Sequence, residues 1–174
     1  MPQPGYDFQF VHKQKKNEPY LQTKSIYHFK TRFNHTYIVE IEEYRYSTYA
    51  IKFYLKNHAE SNNRYNLLTH DGDGFRILST CVNIISSILN TDQLASFGFI
   101  GAPTLEEKEQ QIEANSKRFR VYRQITQNRF STDRFDHVVN LEKSTYIILN
   151  KQNKEPHILS KIETMFHECY EGLQ

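Results

Sequence analysis

The segment Thr69-His70-Asp71-Gly72-Asp73-Gly74 sets two glycines one residue apart, directly before an apolar stretch that reads as a helix. Glycines let backbone N–H groups approach a phosphate closely, and a helix start adds favourable dipole charge. The carboxylates of Asp71 and Asp73 suit a hard cation instead, although the further acidic ligand that closes an EF-hand loop is missing. The plainest reading is a turn in which Asp71 or Asp73 caps the helix by accepting from free N–H groups of its first turn. A second pair, Glu40 and Glu42, falls two residues apart on an alternating run, so both share one strand face. They could work as a general base pair, or simply face solvent. A third feature is the stretch Arg118, Arg120, Arg123, Arg129 and Arg134, interleaved with Phe119, Tyr122, Phe130 and Phe135. Basic residues among aromatics suit an anionic backbone with stacked bases. A solvated helix face beside a packed aromatic face gives the same string.

Other chemistries lack their residues. There is no Cys-x-x-Cys or His-Glu-x-x-His, so no metal ligand set is expected, and His167-Glu168-Cys169 are helix neighbours that point apart. No Gly-x-Ser-x-Gly elbow occurs, and Cys81 lies mid-helix without an evident His partner. Both cysteines, Cys81 and Cys169, read as buried free thiols of a reducing compartment. The formal charge of +2 is too balanced to imply a polyanion partner by itself. The first residues are polar, without the apolar core of a signal peptide, and Phe75–Leu89 is interrupted by Arg76, Ser79, Asn83 and Ser86. A cytoplasmic protein with no membrane partner is the expectation.

These side chains must be positioned by a chain of 174 residues, the usual size of a single domain. Residues 1–24 read as an irregular arm, in which Tyr6–Val11 can add an edge strand, and residues 25–174 as one domain. Ile26–Phe29 is a short strand. His35–Glu43 puts Tyr37, Val39 and Ile41 on one face, and Tyr46–Leu55 puts Tyr49, Ile51, Phe53 and Leu55 on one face; the two form a hairpin. Lys56–Asn63 is turn-like, and Arg64–Thr69 reads as another strand. Phe75, Leu78, Val82, Ile85 and Leu89 then repeat at helical spacing, giving a wide-striped central helix over Phe75–Leu89. Ala95–Ile100 is a buried strand ended by Gly101-Ala102-Pro103. A helix follows from the acidic run near Glu106 to about Arg129, then a hairpin of Phe135–Leu141 and Thr145–Asn150 around Glu142-Lys143-Ser144. Pro156 opens a last amphipathic helix, ended by Gly172. The sum is an α+β fold: a mainly antiparallel mixed sheet flanked by about three helices.

This order of strands, glycine loop, helix, strand, helix and hairpin resembles the GNAT-type N-acetyltransferase fold. In that family the acetyl-CoA pyrophosphate sits on an Arg/Gln-x-x-Gly-x-Gly/Ala loop, whose glycine spacing Gly72 and Gly74 reproduce. Asn115-Ser116-Lys117-Arg118-Phe119-Arg120-Val121-Tyr122 is similar to the family's Asn-x-x-Ala-x-x-Leu-Tyr. The resemblance implies that Asn115 contacts the pantetheine arm, that Tyr122 protonates the departing thiolate, and that Glu40 or Glu42 serves as base. The chain departs from the pattern at Thr69, in place of Arg/Gln, and at Arg118, in place of Ala. Gly72-Asp73-Gly74-Phe75-Arg76 and Arg118-Phe119-Arg120-Val121-Tyr122 also look similar to small bacterial and phage-encoded proteins that share a Gly-Asp-x-Phe-Arg helix start and a later Arg-x-x-x-Tyr.

Charge decides between these implications. Asp71 and Asp73 stand where a pyrophosphate would bind, and unit charges about 4–5 Å apart repel by a few kcal/mol at an effective dielectric near 20. A helix dipole returns only about 0.3–1 kcal/mol. The expectation is therefore a GNAT-like domain that acts through binding and carries no cofactor, with a protein partner or a second copy of itself as candidates. The alternatives are an active acetyl-CoA-dependent N-acetyltransferase, and a nucleic-acid-binding protein using Arg118, Arg120, Arg123 and Arg129.

Overall fold

The computed structural model describes residues 4–67, 71–100, 105–111, 115–141 and 144–170. Seven strands form one sheet in the order β1-β2-β3-β4-β5-β7-β6: β1 is Phe8–Lys15, β2 Leu21–Lys30, β3 Thr36–Tyr44, β4 Thr48–Leu55, β5 Ser96–Ile100, β6 Phe135–Asn140 and β7 Thr145–Asn150. Among the described residues four α-helices accompany it: α1 Gly74–Ser87, α2 Leu105–Glu109, α3 Lys117–Arg129 and α4 Ile158–Cys169. Every neighbouring pair is antiparallel except β4 and β5, which are parallel. That exception follows from the crossover through α1, since a parallel neighbour needs a long connection.

The alternation read from the sequence fixes the two faces. Tyr37, Val39 and Ile41 of β3 join Tyr49, Ile51, Phe53 and Leu55 of β4 in a core with Leu78, Val82 and Ile85 of α1 and Phe119 and Tyr122 of α3. The opposite face carries Tyr44, Ala50 and Ile147 under Ile162, Met165 and Phe166 of α4. Gly98 lets α4 approach: a Cβ there would come 2.5 Å from the Phe166 ring.

Several boundaries differ from the sequence expectation. The edge strand expected within Tyr6–Val11 is present as β1 but longer, and the rest of the arm expected to be irregular holds its continuation to Lys15 and the start of β2, paired from Phe8↔Phe29 to Lys15↔Thr23. It is tied down beyond the strand as well. The Tyr6 backbone N–H donates to Thr80 Oγ1 at 2.8 Å, and a Cβ on Gly5 would meet the Thr80 backbone at 3.0 Å. In place of a strand, residues Arg64–Asn66 form a single 3-10 turn; Leu68 and Thr69 lie outside the described residues. The carbonyls of Tyr65 and Leu67 accept from the Arg118 guanidinium instead of a ladder. One expected helix from Glu106 to Arg129 is two, because Gln111 and Asn115 adopt left-handed φ of 60° and 50° and Ser116 caps a fresh start by accepting from Phe119 N–H at 3.2 Å. The turns placed at Gly101-Ala102-Pro103, Glu142-Lys143 and Gly172 fall outside the described residues. Cys81 is fully buried, whereas Cys169, expected inside, is exposed on the last turn of α4. No helix among the described residues is long and apolar enough to cross a membrane.

Candidate functional site: the gap between strands 4 and 5

Strands β4 and β5 pair at only three positions, Thr48↔Ser96, Tyr49↔Phe97 and Ala50↔Gly98. Beyond these, β4 runs on to Leu55 against β3 alone, and Phe99 and Ile100 of β5 pair only with β7. The ladder between the two strands ends there. A cavity of about 160 Å³ lies there, walled by Ala50, Phe53 and Gly98, with Arg118 and Tyr122 from one face and Lys52 and Tyr170 from the other. A second cavity of about 250 Å³ lies towards the start of α1, between Phe53, Leu78, Arg118 and the Asp71–Gly74 turn.

Arg118 belongs to both. As the second residue of α3 it is only 7% exposed, and it crosses from α3 to the connection after β4. Its guanidinium donates to the carbonyls of Tyr65 and of Leu67 (3.1 Å) and stacks 4.8 Å from the Phe53 ring centre. Its Nε–H finds no acceptor, and the buried Glu107 is the carboxylate whose charge acts on it. Burial pulls its pKa down from the usual guanidinium value, with nearby phenols and Glu107 opposing. Glu107 instead accepts from the Lys117 backbone N–H at 3.2 Å.

The loop glycines do not form a free anion cradle. Asp73 immediately precedes α1 but makes no cap bond with its side chain, contrary to the capping role expected from the sequence. Its carboxylate, 2% exposed, accepts from the Tyr6 hydroxyl and pairs with Arg32 at 3.7 Å. Asp71 lies 2.8 Å from His35 Nδ1. Gly72 takes φ of +70°, and both Gly72 and Gly74 have open space where a Cβ would stand, so it is the turn at Gly72, and no close packing, that uses a glycine. Thr69 and His70 lie outside the described residues.

Glu40 and Glu42 share one face of β3, as the alternation requires, but the solvent-facing reading fails: they are 7% and 3% exposed. Glu42 meets Lys52 at 3.0 Å and Lys24 at 3.6 Å, and accepts from the hydroxyls of Tyr44 and Tyr170, both at 2.6 Å. Burial alone would raise its pKa, but Lys52 and the hydrogen bonds from Tyr170 and Tyr44 outweigh it and hold the carboxyl below its usual range. Glu40 accepts from Tyr65 OH at 3.0 Å and meets Lys24 at 3.5 Å. Held below its usual range in this way, Glu42 is a weak proton acceptor.

Tyr122 does line the gap. Its phenol is buried, and burial first, then Cys81, push its pKa well above the ordinary phenol value, so it keeps its proton. Asn115 is elsewhere: it is exposed ahead of α3, its backbone donating to Leu141 O at 2.9 Å and its carbonyl accepting from Arg120 at 2.7 Å. The arginines do not form one basic row. Arg118 points into the core, while Arg129 donates to Asn83 and Ser86 of α1 at 2.7 and 3.3 Å. Arg120 is exposed and bonded to its own helix start, and Arg123 is half-buried, close enough for its charge to act on Tyr146.

Lys24, Lys52, Tyr65 and Tyr170 were not singled out from the sequence. A register of Glu40 against Lys52 and Glu42 against Lys24 would have exposed the two lysines as cross-strand partners. Comparison with protein-family models, with curated proteins and with solved structures finds no match to this chain.

Proposed function

We propose that the chain is a GNAT-like domain whose cofactor gap is closed by its own residues and which works by binding, without acyl transfer. The observation that carries this reading is Arg118, held to the carbonyls of Tyr65 and Leu67 across the opening between β4 and β5. The layout supports the family half: a seven-stranded sheet with a single parallel pair whose ladder ends after three positions, with α1 before β5 in the chain and α3 after it. The chemistry supports the non-catalytic half. Two carboxylates, Asp71 and Asp73, stand at the start of α1, where an anionic cofactor would need donors. Glu42 is held ionised by Lys52 and two phenols, which costs it basicity. The cavities on either side of Arg118, about 160 and 250 Å³, are each smaller than the roughly 300–1,000 Å³ of typical small-molecule sites. Isothermal titration with acetyl-CoA tests the reading. No saturable heat is expected, and micromolar binding overturns it.

One observation favours active acyl transfer as a second reading: Tyr122 lines the gap with its proton retained, as an acid for a departing thiolate requires. Release of CoA thiol from acetyl-CoA in the presence of a broad amine panel is the measurement that would support it.

A further inference from the structure

We infer that Tyr170 is a latch: its side chain fills a phenol-binding seat beside the cavity between β4 and β5, and a free phenol takes that seat when Tyr170 swings out. The inference rests on the binding role proposed above and names its ligand class and its moving part. Arg118 closes the gap from the α3 face, and Tyr170 closes it from the α4 face.

The seat is defined by what the phenol of Tyr170 meets. Its hydroxyl donates to Glu42 Oε2 at 2.6 Å and lies 2.7 Å from the Tyr44 hydroxyl. The Lys52 ammonium stands 4.9 Å from its ring centre, and the Phe166 and Tyr44 rings lie at 5.8 and 6.3 Å. A buried carboxylate held ionised at the deep end calls for a hydroxyl donor. A cation over the ring face, with aromatic rings beside it, calls for an electron-rich ring. Charge excludes the ionic alternatives. A second carboxylate would meet Glu42, and an ammonium would meet Lys52 and Lys24, which Glu42 already pairs. On the wall below, the charge of the buried Glu107 acts on Arg118, so that wall adds no demand for an anion. A neutral ring with one hydroxyl is what these groups hold, as Tyr170 itself shows.

Tyr170, and not Arg118, is placed to move. Arg118 lies in the first turn of α3, buried, with two carbonyls fixed to its guanidinium. Tyr170 comes after the last turn of α4: the helix ends at Cys169, Tyr170 has φ of −122°, and its N–H donates to Phe166 O at 2.9 Å. Ile162, Met165 and Phe166, which pack α4 onto the sheet, all precede it. Turning this one side chain out therefore leaves the helix packing in place, and such local openings at the end of an element need far less free energy than global unfolding. The vacated place joins the cavity walled by Ala50, Gly98 and Tyr122. Because the latch is tethered, it competes at high effective concentration, and an outside phenol binds more weakly by that factor than it binds a chain without the latch.

The test titrates 4-methylphenol into the whole chain as wild type, Tyr170→Gly and Tyr170→Phe, followed by amide chemical shifts. The methyl ether of the same ring, which cannot donate, is the control. Tyr170→Gly should bind 4-methylphenol saturably, with shifts centred on Tyr44, Lys52 and Gly98, and should bind the ether about ten- to hundredfold more weakly, as loss of a hydrogen bond to a charged group does. In the wild type the same signals should move with an initial slope about ten- to hundredfold smaller, a ratio that reads how far the latch is closed. Tyr170→Phe keeps the ring and loses its donor, so its slope should fall between the two. Tyr170→Gly that stays folded yet binds no phenol, or binds phenol and ether equally, overturns the seat. A wild-type slope equal to that of Tyr170→Gly, or no wild-type response at all, overturns the latch. Acetyl-CoA is titrated into the wild type in parallel. Its binding removes the closed gap, whereas a failed phenol response without acetyl-CoA binding removes the latch and leaves the closed gap standing.

Discussion

Replacing Glu42 by Gln tests whether this carboxylate is a structural anion or a reserve of basicity. In the wild type its Oε2 accepts from the Tyr44 and Tyr170 hydroxyls at 2.6 Å each and its Oε1 meets the Lys52 ammonium at 3.0 Å, at 3% exposure. Hydrogen bonds to charged groups contribute about 1.5–3 kcal/mol each, and breaking a buried pair by removing one partner costs about 3–5 kcal/mol. Two effects reduce that figure here. Lys52 and Lys24 are 31% and 24% exposed and can turn to water, and a Gln carbonyl in the place of Oε2 still accepts from the phenols. A loss of about 2–3 kcal/mol at pH 7 remains. The pH dependence has a definite sign. Because the folded-state pKa of Glu42 is held below the unfolded value, its contribution is present above the unfolded-state pKa and is lost as pH falls through the folded one. Urea denaturation of Glu42→Gln and wild type from pH 7 downwards should therefore show a gap that closes in acid. A difference under about 0.5 kcal/mol at pH 7, or one independent of pH, refutes the reasoning.

Gly98→Ala should destabilise by about 1–3 kcal/mol, since its Cβ would meet Phe166 at 2.5 Å; calorimetry reads the shift in Tm. Tyr6→Phe removes the hydroxyl that binds Asp73 and accepts from the Arg32 backbone N–H at 3.3 Å. It should cost about 1–3 kcal/mol and speed hydrogen exchange at the start of α1, so unchanged exchange there would contradict the account. A thiol reagent should modify Cys169 in the native protein and reach Cys81 only on unfolding, because Cys81 has no exposed surface and burial raises its thiol pKa, whereas Cys169 is exposed. Mass spectrometry of the labelled peptides decides it.

The strands β3 and β4 and the helix α1 were legible because their apolar residues follow one period without interruption and bury that face. The edge strand expected within Tyr6–Val11 is β1, but its run on to Lys15 was not legible, because Phe10 and Val11 are 57% and 50% exposed and no buried alternation marks it. The break before α3 was hidden because the left-handed turn at Gln111 and Asn115 uses residues that also suit helices or caps. Tyr122, singled out from local spacing, does line the cavity beside β4 and β5. The Glu40 and Glu42 pair was found but its environment was not. Its partners come from β2, β4, the turn at Tyr65 and the end of α4, and no local pattern joins residues as distant as Glu42 and Tyr170. Arg118 looked like part of a basic face because a charged residue carries no periodic signal for burial, and its place was decided by carbonyls on another element.

Titration of the wild-type chain with acetyl-CoA bears most directly on the closed gap. With Arg118 bonded to the Tyr65 and Leu67 carbonyls and Asp73 engaged with Tyr6 and Arg32 at the start of α1, no saturable heat is expected up to about 1 mM ligand, an affinity weaker than about −4 kcal/mol. Binding in the micromolar range, about −8 kcal/mol, would contradict it.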